Sequence, residues 1–239
     1  MRLLVTRPEP DASAFAEELR GLGHEPILEP LLEFRALDFD RAALQGAQAL
    51  VITSGNCLRA LEDTASAPDA ANIPLYCVGE ETARRAREMG FGRLAATADT
   101  AEKLAQKITE SARKDKDAPL VHLTGEHQAF DLAGALSREG FAVETQRVYS
   151  MDARPEFSPS AAAMLKAGEA DGVILMSPRT AEIYVSLCHR HGLADCAKTP
   201  LYLCISENVA ARLASLKANR VRVPAKPNRK ALLELLLAD

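Results

Sequence analysis

Apolar residues in this chain come in short unbroken runs, separated by segments in which they recur every three or four positions. The runs predict buried strands and the spaced segments predict amphipathic helices. The first run, Arg2-Leu-Leu-Val-Thr6, leads through a polar turn at Arg7-Pro-Glu-Pro10 into a helix whose Phe15, Leu19 and Leu22 share one face. Gly21 and Gly23 end that helix. A second strand over residues 26–30 precedes an irregular stretch, 31–40, that reads as a crossing out of the first unit. Strands are then expected at 49–53, 75–78, 94–96, 120–123 and 141–148, with helices between them. Ala153-Arg-Pro-Glu-Phe-Ser-Pro159 reads as a second crossing, because its prolines interrupt regular structure. Three further strands follow, at 172–176, 201–204 and 220–223.

The pattern repeats itself. Ile73-Pro-Leu-Tyr-Cys-Val-Gly-Glu-Glu-Thr-Ala83 returns, with one inserted residue, as Thr199-Pro-Leu-Tyr-Leu-Cys-Ile-Ser-Glu-Asn-Val-Ala210. Ile52-Thr-Ser-Gly-Asn56 resembles Leu175-Met-Ser-Pro-Arg179, the helical stretch from Glu102 resembles that from Lys230, and Leu19 and Gly23 match Leu136 and Gly140. Three strands at the carboxyl end make a poor sheet, but two more from the first thirty residues bring the set to the five of the middle. The expected architecture is α/β, with two similar five-stranded parallel-sheet (flavodoxin-like) domains. One is discontinuous, residues 1–34 plus 154–239, and the other, 35–153, is inserted into it. A two-stranded linker joins them, with a cleft between.

Composition narrows the partners. With 239 residues, 47% of them hydrophobic, the chain can bury cores for two domains. A net charge of -4 gives no general attraction to nucleic acid or to an anionic membrane. No apolar run approaches the ~20 residues of a membrane span, so a soluble cytoplasmic protein is expected. Five cysteines without a CxxC spacing fit reduced thiols rather than a disulfide framework. His189 and His191, beside Cys188 and Cys196, are two apart on a helix and point away from each other, so no metal site is assigned. Gly21-Leu-Gly23 follows a helix rather than a strand, which argues against a dinucleotide site. The run from Lys217 to Lys230 holds six basic residues and no acid. It suits a solvated face or a positive rim for an acidic ligand better than nucleic acid, since no aromatic residue interleaves it.

In parallel sheets ligands bind beyond the carboxyl ends of the strands, where helix starts present unpaired N–H groups. The residues expected there are Thr6, Arg7, Pro8, Ser54, Asn56, Gly79, Thr82, Thr124, Gly125, Ser177, Arg179, Ser206, Asn208 and Lys226. Helix capping accounts for each of the hydroxyl and amide residues singly. Together they describe a rim rich in N–H groups and poor in charge, suited to a small polyanion.

The same residues carry a resemblance. Val5-Thr-Arg-Pro8 followed by Gly23 and Pro30, Ile52-Thr-Ser-Gly-Asn56, Val78-Gly-Glu-Glu-Thr-Ala83, Leu123-Thr-Gly125, Val148-Tyr149, Ser177-Pro178 and Ile205-Ser206 resemble the uroporphyrinogen-III synthase family over almost the whole chain. Asn208 and Val209 depart from it, standing where members often carry threonines. The resemblance implies two α/β domains with the site in the cleft, no cofactor, and a tetrapyrrole substrate. It also implies a monomer, with a possible transient hand-over from hydroxymethylbilane synthase. The implied reaction cyclises hydroxymethylbilane with loss of water and inversion of ring D through a spiro intermediate. Tyr149 matches the family's cleft tyrosine and is the expected proton donor; the competing role is a tyrosine packed at a domain edge. A non-catalytic anion-binding or sensor protein is the alternative for the whole chain.

Overall fold

The computed structural model describes residues 1–128 and 130–237. In chain order the first elements are β1 (Arg2–Val5), α1 (Asp11–Gly21), β2 (Glu25–Leu28) and β3 (Leu32–Ala36). There follow β4 (Ala49–Ile52), α2 (Gly55–Asp63), α3 (Ala67–Ala70), β5 (Leu75–Val78), α4 (Glu80–Glu88), β6 (Leu94–Ala98), α5 (Ala101–Ser111), β7 (Leu120–Gly125), α6 (Leu132–Arg138) and β8 (Val143–Ala153). The chain closes with α7 (Pro159–Ala167), β9 (Gly172–Leu175), α8 (Pro178–Arg190), β10 (Leu201–Cys204), α9 (Glu207–Ala210), β11 (Arg220–Arg222) and α10 (Arg229–Glu234). These fall into two compact units: Met1–Phe34 with Asp152–Asp239, and Arg35–Met151.

The first unit carries a five-stranded sheet in the order β11-β10-β9-β1-β2. Its described pairings are all parallel. Helices cover both faces, which is why its central strands are apolar throughout instead of alternating. On one face Leu4, Val173, Leu175, Tyr202 and Cys204 pack with Met164 and Leu165 of α7 and Ala181, Tyr184 and Leu187 of α8. On the other, Leu3, Val5, Ile174, Leu201 and Leu203 meet Phe15 and Leu19 of α1 and Leu232 of α10. Within the first of these cores Tyr202 donates to the carbonyl of Ala197 at 2.6 Å, and its hydroxyl lies 3.2 Å from that of Tyr184. Leu22 departs from expectation. It lies just past α1 as its cap and is 37% exposed, so the helix buries Ala12, Phe15, Ala16 and Leu19 instead.

The second unit's sheet runs β3-β8-β7-β4-β5-β6 and has six strands, not the five expected. The sixth is β3, from the stretch read as irregular. The N–H of Leu37 donates to Val148 and that of Arg154 to Leu31, so the two segments run antiparallel. The other strands pair parallel. Ala49, Val51, Tyr76 and Leu120 pack beneath Leu104 and Ile108 of α5 and Leu132 and Leu136 of α6.

Candidate functional site

Each parallel sheet ends in a row of helix starts, and the sequence places hydroxyl residues there because they satisfy donors that the first helical turn leaves open. Ser54 accepts from the N–H of Asn56 at 3.3 Å, and Ser177 from that of Thr180 at 3.0 Å. Thr100 does the same for Lys103 at 3.3 Å, and Asn228 for Ala231 at 2.9 Å. Gly79 starts α4 with φ +87°, a conformation that an L side chain resists, while Ser206 starts α9 without a hydroxyl bond.

In the second unit these ends surround a cavity of about 370 Å3. It is lined by Thr53 and Ser54 after β4, Val78 at the end of β5, and Thr100, Ala101 and Glu102 at the start of α5. Thr124, the loop residues His127, Gln128 and Phe130, and Tyr149 complete it. Ser54 and Thr124 were expected at the rim and Tyr149 through the family resemblance, and the fold brings the three to one space. Gly79 and Thr82 stand near the start of α2: a methyl group added at Gly55 or at Gly79 would lie 3.8 Å from the Thr82 hydroxyl.

Tyr149 is largely buried, 8% exposed. A β-bulge brings it to its place, since β7 and β8 pair Thr124 with Arg147 and then Gly125 with Tyr149. The bulge strengthens the local twist and re-aims the side chain at the strand end. Burial raises the phenol's pKa above its ordinary value; a hydrogen bond with Ser54 opposes that, Cys57 nearby adds to it, and a hydrogen bond with Asn56 opposes it. The hydroxyl therefore keeps its proton at neutral pH while lying against groups that favour the anion once the proton leaves.

Glu102 is the cavity's carboxylate, and its pKa is lowered by its own backbone N–H and by the Thr100 hydroxyl. Among the described residues no arginine or lysine lines this space. Below it, two positions before Thr124 on the same strand, His122 is buried with neither ring nitrogen hydrogen-bonded among the described residues. Burial lowers its pKa to about 4, with Asp131 acting in the opposite sense, so the ring is neutral at pH 7.

The first unit arranges its rim differently. The Thr6 hydroxyl is turned inward and donates to the carbonyl of Ile174 at 2.7 Å, so it ties β1 to β9 and is withdrawn from the surface. Arg7 pairs with Asp11 at 2.5 Å and reaches the Met176 sulfur at 3.4 Å. The Pro8 carbonyl accepts from the N–H of Ala12 at the start of α1. Asn208 accepts from Arg212 at 3.2 Å, and Lys226 is exposed ahead of α10. Arg179 lines a separate concavity of about 300 Å3 along α8, with Arg154 and Arg190. Among the described residues no group of three or more His, Cys, Asp or Glu could hold a metal ion.

Sequence reasoning missed Thr100, Glu102, His127 and Gln128. Thr100 had a signal, a hydroxyl residue just before the amphipathic stretch of α5. The loop after β7 had none, because nothing in its composition says that His127 and Gln128 line a cavity.

Comparison with known proteins adds lineage to this geometry. A family model described as uroporphyrinogen-III synthase HemD matches residues 13–234. Among solved structures, the uroporphyrinogen-III synthetase of Helicobacter pylori is similar at 19% identity and a TM-score of 0.67, covering 99% of this chain and 98% of that one. A mutant uroporphyrinogen III synthase from Thermus thermophilus is similar at 17% identity and a TM-score of 0.55, covering 99% and 97%. At these identities the likeness is one of fold, two α/β domains with parallel sheets; the family assignment rests on the sequence model.

Proposed function

Since this chain belongs to the uroporphyrinogen-III synthase family, we propose that it converts hydroxymethylbilane to uroporphyrinogen III, and that Tyr149 is its proton donor. Among helix-start hydroxyls that capping alone would explain, the phenol of Tyr149 supports this assignment most directly. It lines the second unit's cavity, bonded to Ser54 and Asn56, in a state that can give up a proton.

In this mechanism the phenol protonates the ring-A hydroxyl, which leaves as water while the pyrrole nitrogen supplies the electron pair. The resulting azafulvene is attacked by the substituted carbon of ring D, giving the spiro intermediate. That intermediate opens and recloses with ring D inverted, and the proton released as ring D regains its aromaticity restores the phenol. The phenolate formed in between is held by Ser54 and Asn56 at the start of α2, whose N-terminal end favours negative charge. The protein's remaining task is to fold the substrate so that the unsubstituted end of ring D does not make the first closure and bonds only when the opened spiro intermediate recloses, and positioning of this kind contributes several kcal/mol.

The strand-end residues Arg7, Pro8, Asn56, Gly79, Thr82, Thr124, Ser177, Arg179, Ser206, Asn208 and Lys226 are proposed substrate contacts, with N–H groups and hydroxyls taking the carboxylates. Thr6 acts there through the backbone, since its hydroxyl is engaged by Ile174. No cofactor enters the scheme. No helix of the described residues is long and apolar enough to cross a membrane. A cytoplasmic monomer that receives its substrate transiently from hydroxymethylbilane synthase fits this reading.

The test is to supply freshly made hydroxymethylbilane and determine the isomer of the cyclised product. The rearranged type III isomer is expected. Type I alone, the product of spontaneous closure, from properly folded protein would return the chain to an anion-binding role.

A further inference from the structure

We infer that Gly125 is a positioning residue for Tyr149, its missing side chain being the slot that receives the hydroxyl end of the phenol. This deepens the proton-donor reading above and rests on it for its catalytic consequence. Gly125 otherwise belongs with the residues whose backbone approaches the ligand; the structure gives that space to Tyr149. A methyl group built on Gly125 would lie 2.5 Å from Cζ of Tyr149, 2.7 Å from Cε2 and 2.8 Å from the hydroxyl oxygen. All three contacts are at the reactive end of the ring, so any side chain here displaces the hydroxyl before it disturbs the rest of the tyrosine.

The backbone fixes both partners of this contact. Gly125 and Tyr149 are ladder neighbours across the bulge, and the N–H of Glu126 donates to the Tyr149 carbonyl at 3.3 Å. The bulge sets where the ring starts and the glycine sets where it ends. At the far end Ser54 serves two duties, capping α2 through the N–H of Asn56 and bonding the phenol. The hydroxyl is thus registered to the start of α2 by contacts at its tip and by the empty Cβ position beneath it. The demand on this glycine is close approach, not an unusual backbone angle: its φ is outside the range that L side chains avoid.

The experiment compares Gly125→Ala, Tyr149→Phe and the double variant, using the full chain with hydroxymethylbilane. Tyrosine ultraviolet absorbance against pH reads the phenol itself, with the Tyr149 component obtained by difference from Tyr149→Phe. In Gly125→Ala the ring is pushed outward, and because burial is the largest influence on this phenol, its titration should move down toward the ordinary tyrosine value. Turnover should fall about tenfold or more, as expected when a general acid is misplaced, with KM little changed. Adding Gly125→Ala to Tyr149→Phe should slow the enzyme no further.

An unchanged Tyr149 titration in folded Gly125→Ala would overturn the inference, and so would a full additional loss of turnover in the double variant. If Tyr149→Phe alone leaves turnover intact, the proton-donor reading fails, and the titration still decides whether Gly125 seats the ring. Should Gly125→Ala fold poorly, the same change is made in a Tyr149→Ala background, where the clash is gone. Equal melting temperatures with and without it there are expected; a loss as large as in the parent would overturn the slot.

Discussion

The two units are built on one plan and finished differently. Leu3, Leu4 and Val5 of β1 pair with Gly172, Val173 and Ile174 of β9, and Leu120, Val121 and His122 of β7 pair with Ala49, Leu50 and Val51 of β4 in the same register. At the strand tips Ile52 pairs with Cys77 as Leu175 pairs with Cys204, so the residue inserted in the second copy is absorbed before the end where the rim lies. This equivalence sets His122 against Val5 and, further along the chain, Gly125 against Pro8. The frame was kept where packing demanded it, and it diverged near the strand ends, where one unit acquired a seated phenol and a buried imidazole and the other a proline and an apolar core.

The largest expected difference is at the rim. Tyr149→Phe keeps the ring and its packing, so stability should change little while turnover falls about a hundredfold. The type III isomer should persist, because substrate folding does not depend on this proton. The core tyrosine of the first unit is the control: in Tyr202→Phe, turnover at a temperature where the protein is folded should be unchanged. If both substitutions slow the enzyme alike, the loss at Tyr149 is one of general packing and not of proton donation.

The next test concerns the imidazole. His122 is held neutral with its pKa near 4, while in the unfolded chain it titrates near the ordinary ~6.5. The unfolded state therefore binds more protons between these values, so stability is intact above about 6.5 and is lost as pH falls toward 4. At pH 5 the expected loss is about 2 kcal/mol. His122→Val, which installs the first unit's residue, should flatten this acid limb of the stability profile in urea melts. An unchanged limb would mean that other groups carry it.

The smallest effects separate the duplicated tyrosines. Tyr202 is fully buried and bonds Ala197 and Tyr184, whereas Tyr76 bonds Ser111 at 3.0 Å on a partly exposed helix. Tyr202→Phe leaves a buried carbonyl unsatisfied and should cost about 1.5 kcal/mol; Tyr76→Phe should cost about 0.5 kcal/mol. Equal losses in denaturant melts would show that the two copies are stabilised alike.

Much of the frame was legible because strands covered on both faces must be apolar throughout, and Leu3-Leu4-Val5 and Leu50-Val51-Ile52 announce themselves in that way. β3 did not. Its Leu32-Glu-Phe-Arg-Ala36 alternates in burial, follows Pro30, and becomes a strand only by pairing with a segment more than a hundred residues away. Tyr149 was expected at the rim only from the family resemblance, whereas Ser54 and Thr124 could be placed there because strand ends can be located from the runs. The choice of Thr6 rested on the same reasoning, but position alone does not say which way a hydroxyl turns. His122 gave no signal, since it stands inside the apolar run from Leu120 to Leu123, which announces a buried strand and nothing about the ring within it.

The insertion also bears on how the chain is made. Strand β1, with Leu3, Leu4 and Val5 destined for complete burial, is made well before its neighbour β9, which is among the later strands. At about 5–20 residues per second the opening β1–α1–β2 piece waits roughly ten seconds or more for its other half. The segment from Arg35 to Met151 can meanwhile complete its own sheet, and its two ends leave on the paired strands β3 and β8. A long floppy loop is thereby replaced by a folded clasp, which lowers the entropic cost of bringing β1 to β9. An inserted unit that folds early would in this way aid assembly of the unit whose two segments flank it in the chain.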